Sequence, residues 1–173
     1  MAFGKIKRQF LVNKFHKELK SIPETRTPNS KKIHSVAILT THHLNDELDI
    51  AEKITSNIES VRNVHIYSFR PYKKSDDTNY KNFTEKDFDW KGKVIDASFD
   101  SFLENNQFDL MIGYFNEKQL YLEYAVLKSK ADFKIGFANV NDKIFDLVVS
   151  EEPLEIDSFI KVIKKYLKVL NKI

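Results

Sequence analysis

Apolar residues in this chain fall into short continuous runs and into longer runs with helical spacing, and the two kinds alternate. The clearest case lies between Phe108 and Phe137. Phe108-Asp-Leu-Met-Ile-Gly-Tyr114 is a short, nearly continuous apolar stretch, as expected of a parallel strand buried on both faces. Asn116 can then cap a helix, with Gln119 three residues on as its capping-box partner. Leu120, Tyr124 and Leu127 recur at helical spacing, the pattern runs out near Ser129-Lys130-Ala131, and Phe133–Phe137 is a further strand. Parallel neighbours need such a crossover, so the segment reads as one complete βαβ unit.

The same alternation extends in both directions. Val36–Thr40 is a strand, and a helix over about Asp46–Ser60 carries Leu48, Ala51, Ile54, Ile58 and Val61 on one face. Val64–Phe69 is a second strand by alternation and β-rich composition. A short helix over about Ser98–Glu104 leads to Phe108, and Ile144–Val149 is the fifth strand. A last helix begins at Asp157 or Ser158 and runs almost to the end of the chain, mostly buried through Phe159, Ile160, Val162, Ile163, Tyr166, Leu167, Val169 and Leu170, with Lys161, Lys164, Lys165, Lys168 and Lys172 turned to water. Strands alternating with helices predict an α/β fold: a three-layer α/β/α sandwich around a mostly parallel five-stranded sheet, Rossmann-like or flavodoxin-like. The expected strand order is 2-1-3-4-5, with the fifth strand free to run antiparallel.

Residues 1–35 depart from this pattern in charge. They hold nine basic residues against Glu18 and Glu24, a net of +7, so that with the whole chain at +3 the remaining 138 residues sum to −4. An extra N-terminal helix over about residues 3–20 is predicted from Phe3, Ile6, Phe10, Leu11, Phe15 and Leu19, and Pro23 and Pro28 among small polar residues read as a linker. The chain therefore divides into a basic helix and linker, 1–32, and a single α/β domain, 33–173. The ordinary expectation is that the helix docks by its apolar band with its lysines facing water. The alternatives are a protein partner, or a nucleic acid or anionic membrane bound through residues 1–32.

Composition removes several classes of chemistry. With no cysteine there are no disulfides, thiolate metal sites or cysteine nucleophiles. Only four glycines occur, at 4, 92, 113 and 136, and no two lie within a turn of each other. Glycine-rich phosphate loops of the P-loop and GxGxxG kinds are thus absent, and no cofactor is implied. Gly113 and Gly136 instead mark bulges or close backbone approaches within strands. The first residues are charged with no apolar stretch behind them, and no run is long enough to cross a bilayer, which makes a cytoplasmic soluble protein the default.

In a doubly wound sheet, ligands bind beyond the carboxyl ends of the strands near the switch point in strand order. The first strand ends at Thr40, Thr41, His42 and His43, the second delivers Arg70, Tyr72, Lys73 and Lys74, the third Tyr114 and Asn116, and the fourth Asn139 and Asn141. Thr41, His42, His43, Arg70, Tyr114 and Asn116 are the candidate ligand-binding residues, a polar and mildly basic rim suited to an anion. Adjacent histidines invite a metal or acid/base role. No carboxylate at helical spacing completes an HExxH-like set, so polar loop residues are the simpler reading and no metal ligand is assigned. A non-catalytic binding or accessory protein is the leading expectation, and no catalytic residue is assigned. The alternative is a small enzyme for a phosphorylated or nucleotide-like substrate, with His42 or His43 as acid/base and Arg70 as anion clamp.

Between these strands, Ser75–Asn79 is a turn-rich polar knot. Phe83, Phe88 and Trp90 stand in a loop-like context from which they must fold onto the core or serve a partner. The order of Asp87-Phe-Asp-Trp-Lys-Gly-Lys93, the Phe108–Tyr114 strand, Lys128-Ser-Lys-Ala-Asp-Phe-Lys-Ile-Gly-Phe137 and Asp146-Leu-Val-Val149 resembles an uncharacterised family of similar length from flavobacteria and other Bacteroidota. That resemblance spans most of the chain and implies no activity or site residues. The βαβ stretch is also similar to one lobe of heptosyltransferase-type glycosyltransferases, whose nucleotide-sugar lobe has no room here.

Overall fold

The computed structural model describes residues 2–23, 31–74 and 81–173. Six strands, β1 (Ser35–Thr41), β2 (Asn63–Phe69), β3 (Asn82–Phe83), β4 (Leu110–Tyr114), β5 (Lys134–Phe137) and β6 (Leu147–Val149), form one sheet in the order β3-β2-β1-β4-β5-β6. All the pairings are parallel. β1 and β4 lie side by side near the middle, with Val36 opposite Leu110 and Thr40 opposite Tyr114. The predicted order holds for the five expected strands, and the two-residue β3 adds an edge beside β2. The fifth expected strand runs parallel, not antiparallel, with Ile135 opposite Leu147. It is also shorter than predicted. Ile144 closes a 3-10 turn, Asp142–Ile144, capped by the Asn141 side chain, and the strand begins only at Leu147.

The alternation of side chains along the central strands builds two cores. Val36 and Ile38 of β1, and Leu110, Ile112 and Tyr114 of β4, face one layer. There they meet α2 (His42–Glu47), α3 (Ile50–Asn57) and α6 (Ile156–Val169) through Leu44, Ile54, Phe159 and Ile163. Ala37, Leu39 and Met111 face the other layer, built from α1 (Ala2–Lys20), α4 (Ala97–Asp100) with its π-helical continuation Ser101–Asn105, and α5 (Leu120–Lys128). The single helix expected over 46–60 is two. Leu48 takes an extended conformation after α2, and Asp49, whose carboxylate accepts from Glu52 N–H at 3.1 Å, starts α3 afresh. The α5 cap is Gln119, which accepts from Tyr121 N–H, rather than Asn116.

The second layer is largely aromatic. Of the three loop aromatics Phe83 and Phe88 fold onto the core and Trp90 does not, with Phe83 stacked on Phe99 at 4.2 Å between ring centroids and Phe88 against Tyr121 and Tyr124. α1 docks here by Leu11, Phe15 and Leu19, and Phe15 meets the Tyr124 ring edge-on. The linker residues around Pro28 and the Ser75–Asn79 knot lie outside the described residues. Both strand glycines sit under the Phe145 ring. A β-carbon at Gly136 would lie 2.2 Å from that ring and one at Gly113 2.7 Å, so the ring lies flat on bare backbone.

At the amino ends of the strands, Asp109 ties β4 to β1. Its carboxylate accepts from the N–H groups of His34 and Ser35 at 3.0 and 2.9 Å and from the Ser35 hydroxyl at 2.9 Å, and pairs with the Lys31 ammonium at 2.7 Å. Burial alone would raise its pKa, but the bonds from Lys31, His34 and Ser35 outweigh that and hold the carboxyl far below its ordinary range.

Candidate functional site

The helical connections after β1 and β4 leave for opposite layers: α2 and α3 pack on the α6 side, α5 on the α1 side. Their divergence opens a crevice beyond the carboxyl ends of β1 and β4, the switch point of the sheet. Two clefts that share Thr41, His43 and Glu117 occupy it.

One cleft, of about 410 Å³, is lined by Thr41, His42, His43, Phe69, Arg70, Pro71, Lys73, Glu117, Lys118 and Gln119. Its charged groups are Arg70, Lys73 and Lys118 against Glu117. The other, of about 610 Å³, has the opposite character. Glu47, Glu117, Glu152 and Glu155 surround an apolar floor of Leu44, Phe115, Pro153 and Leu154, with Asn116 at its side. Asn116 donates from its side-chain amide to Glu152 at 3.4 Å.

Five of the six candidate residues therefore meet at one place. Thr41 caps α2 by accepting from Leu44 N–H at 3.3 Å, which fixes the direction of the histidines that follow. His42 Nε2 stands 3.3 Å from Asp46 and His43 Nε2 3.5 Å from Glu47, each one helical turn on, so that both histidines lie on α2 and not in a loop, and each, against expectation, has a carboxylate at helical spacing. His42 Nδ1 is shut off from solvent and has no hydrogen-bond partner among the described residues.

Tyr114 is the exception, and the rim assignment is corrected. It is fully buried, it meets Phe137 and Phe159 edge-on, and its hydroxyl donates to the Pro153 carbonyl. Burial pushes its pKa well above the usual tyrosine range. The parity that puts Leu110 and Ile112 into the α6 layer puts Tyr114 there too. Asn139 is exposed, and Asn141 belongs to a separate cleft of about 430 Å³ between α1 and α5, where its N–H donates to the buried Glu123 carboxylate at 3.0 Å. Burial raises the pKa of Glu123, and the Asn141 N–H and Lys118 offset this only in part.

Sequence reasoning passed over Glu117, Lys118, Glu152 and Glu155. The first two follow β4 within four residues and the others follow β6 within six, so position after a strand end was the available signal. Among the described residues no group of three or more histidines and carboxylates is placed to hold a metal ion, and no helix is long and apolar enough to cross a membrane.

No curated protein and no solved structure matches the chain. One family model does match, over residues 7–170, which bears out the resemblance to an uncharacterised family and says nothing of a glycosyltransferase. The chain belongs to the family described as a family of unknown function, DUF6913.

Proposed function

We propose that the protein is a binding protein for a small anionic ligand, phosphorylated or nucleotide-like, held in the basic half of the strand-end crevice. The observation that carries this reading is the convergence of Arg70, Lys73 and Lys118 with the His42 and His43 imidazoles on one cleft at the switch point. The strand order is that of the doubly wound dinucleotide-binding sheets, in which ligands lie at this position. The turn after β1, Thr41-His42-His43-Leu44, contains no glycine, so side chains rather than a backbone cradle must supply the contacts to the anion. Binding is favoured over nucleophilic catalysis because the Thr41 hydroxyl is committed to capping α2.

Calorimetric titration with inorganic phosphate, pyrophosphate and ADP tests the reading. At least one of these should bind, and Lys73→Met with Lys118→Met should weaken it by about tenfold or more, since a hydrogen bond to a charged group contributes about 1.5–3 kcal/mol. Both lysines are on the surface, so melting should not move. Absence of binding by all three anions, or binding indifferent to both substitutions, would refute the proposal.

A second reading, an acid/base enzyme at the same place, has one observation in its favour. The half-exposed His42 ring faces Asp46 with Nε2 and leaves its buried Nδ1 unbonded among the described residues, the arrangement of an imidazole oriented by a carboxylate. It predicts turnover of a bound phosphate ester that His42→Ala eliminates without loss of binding.

A further inference from the structure

With Leu11, Phe15 and Leu19 of α1 turned into the core, a second stripe of the same helix is left outside: Ile6, Lys7, Phe10 and Lys14. Phe10 and Trp90 are each 51% exposed, yet they are not separate. Their rings meet edge-on at 5.8 Å between centroids. The loop that carries Trp90 is fastened to α1 by lysines on either side of this pair. Lys7 Nζ donates to the Glu85 carbonyl at 2.7 Å, and Lys14 Nζ donates to the Lys91 carbonyl at 3.0 Å. Lys91 Nζ in turn stands 4.9 Å from the Trp90 ring centroid. Further along, Tyr72 is exposed, with Lys86 Nζ 3.3 Å from its ring centroid, and its N–H donates to the Glu85 carboxylate.

Three carboxylates of this surface, Glu85, Asp87 and Asp89, accept from backbone N–H groups and keep their charge, and Glu18 stands 4.0 Å from Lys14 Nζ. Asp87 closes the capping box on Thr84, and Asp89 accepts from the N–H groups of Lys91 and Lys93, each at 2.8 Å. Beside the half-exposed rings Lys91 faces outward, and Lys7 and Lys14 stand partly exposed on α1. α1 alone carries six basic residues against Glu18, on a chain whose residues beyond 35 sum to a negative charge.

We propose that the α1–Trp90 surface binds single-stranded nucleic acid without sequence preference, with Trp90 and Phe10 as stacking platforms and Lys7, Lys14 and Lys91 along the phosphates. Charge complementarity selects a polyanion, and half-exposed rings between the cations select one with bases free to stack. An anionic membrane fits less well, because the broad apolar band that would enter lipid is the one already buried against α5 and its neighbours. The surface is independent of the strand-end crevice, and either proposal can fail alone.

Trp90 is the only tryptophan, so its fluorescence reports the proposed contact directly. Titration of the full chain with a dT20 oligonucleotide at about 50 mM salt should quench it saturably. Raising salt to about 200 mM should weaken binding with a log–log slope of about −2, the value for three neutralised phosphates on a single strand at about 0.7 each. By anisotropy of labelled dT20, Trp90→Ala should lose about tenfold in affinity and Trp90→Phe should retain most of it. Lys91→Glu should lose at least as much as Trp90→Ala at an unchanged melting temperature. Four results would overturn the proposal: no quenching by dT20 at low salt, binding unaffected by Trp90→Ala and Lys91→Glu, loss confined to variants that unfold, or a blue-shifted response to phosphatidylserine vesicles without any response to dT20.

Discussion

Single residues fix the close tolerances of this sheet, and their roles differ in how visible they are beforehand. That Gly113 and Gly136 mark a close approach follows from glycine in an apolar strand. That the Phe145 ring makes the approach does not, because the partner arrives from another segment. Gly136→Ala should cost about 2–3 kcal/mol as an overpacked core position, and pairing it with Phe145→Leu should recover part of the loss in urea titrations. Tyr114 was misread as a rim residue because it ends its strand, although the two-residue period of β4 already assigns its side chain to the buried layer. Tyr114→Phe should cost about 1 kcal/mol, one hydrogen bond to the Pro153 carbonyl, and leave ligand binding alone. Asp109 gave no signal at all, since its donors His34, Ser35 and Lys31 lie more than seventy residues away. Its pKa is lower folded than unfolded, so it stabilises the fold above the unfolded value of about 4 and ceases to as pH falls through the folded value. Asp109→Asn should lower the melting temperature at neutral pH and shrink the difference from the parent protein below about pH 4, as followed by circular dichroism. Glu123 has the opposite sign: its raised pKa makes Glu123→Gln stabilising at neutral pH, with the gain disappearing in acid.

At the scale of elements, helices with a single apolar stripe were legible and their boundaries less so. The run from 46 to 60 keeps its period across the break at Leu48, and the cap that restarts it is Asp49, an aspartate among several in that stretch. The last strand was overextended because Ile144 and Phe145 are as apolar as Leu147 and Val149. They belong instead to the α1 layer, on the short connection 138–146 from β5. The α1 helix divides its apolar band between two environments, which a helical wheel cannot resolve. Phe15 is buried and Phe10 half-exposed, so Phe15→Ala should cost about 3–5 kcal/mol and Phe10→Ala less than about 1 in the same denaturation experiment. Equal costs would mean that α1 packs by a different face.

Over the whole molecule, the hydrophobic pattern gave the sheet order because each crossover constrains its neighbours, and the sheet order in turn gave the place of the crevice. Thr41, His42, His43, Arg70 and Asn116 come together there for that reason alone. The basic half was legible in Arg70 and Lys73, which follow the second strand, but the contribution of Lys118 and the acidic half were not. Lys118 and Glu152 are ordinary surface residues until β4 and β6 bring their loops to one rim. The basic half facing the acidic half also sets the expected orientation of a ligand, with its anionic group toward Arg70 and Lys73. The most direct test of the account is a ¹⁵N–¹H NMR titration of the full chain with pyrophosphate. Amide shifts are predicted to cluster at residues 41–43, at Arg70, Tyr72 and Lys73, and at residues 116–119, and to leave the Asp109 end of the sheet unmoved. Shifts concentrated on α1, or at the amino ends of the strands, would contradict it.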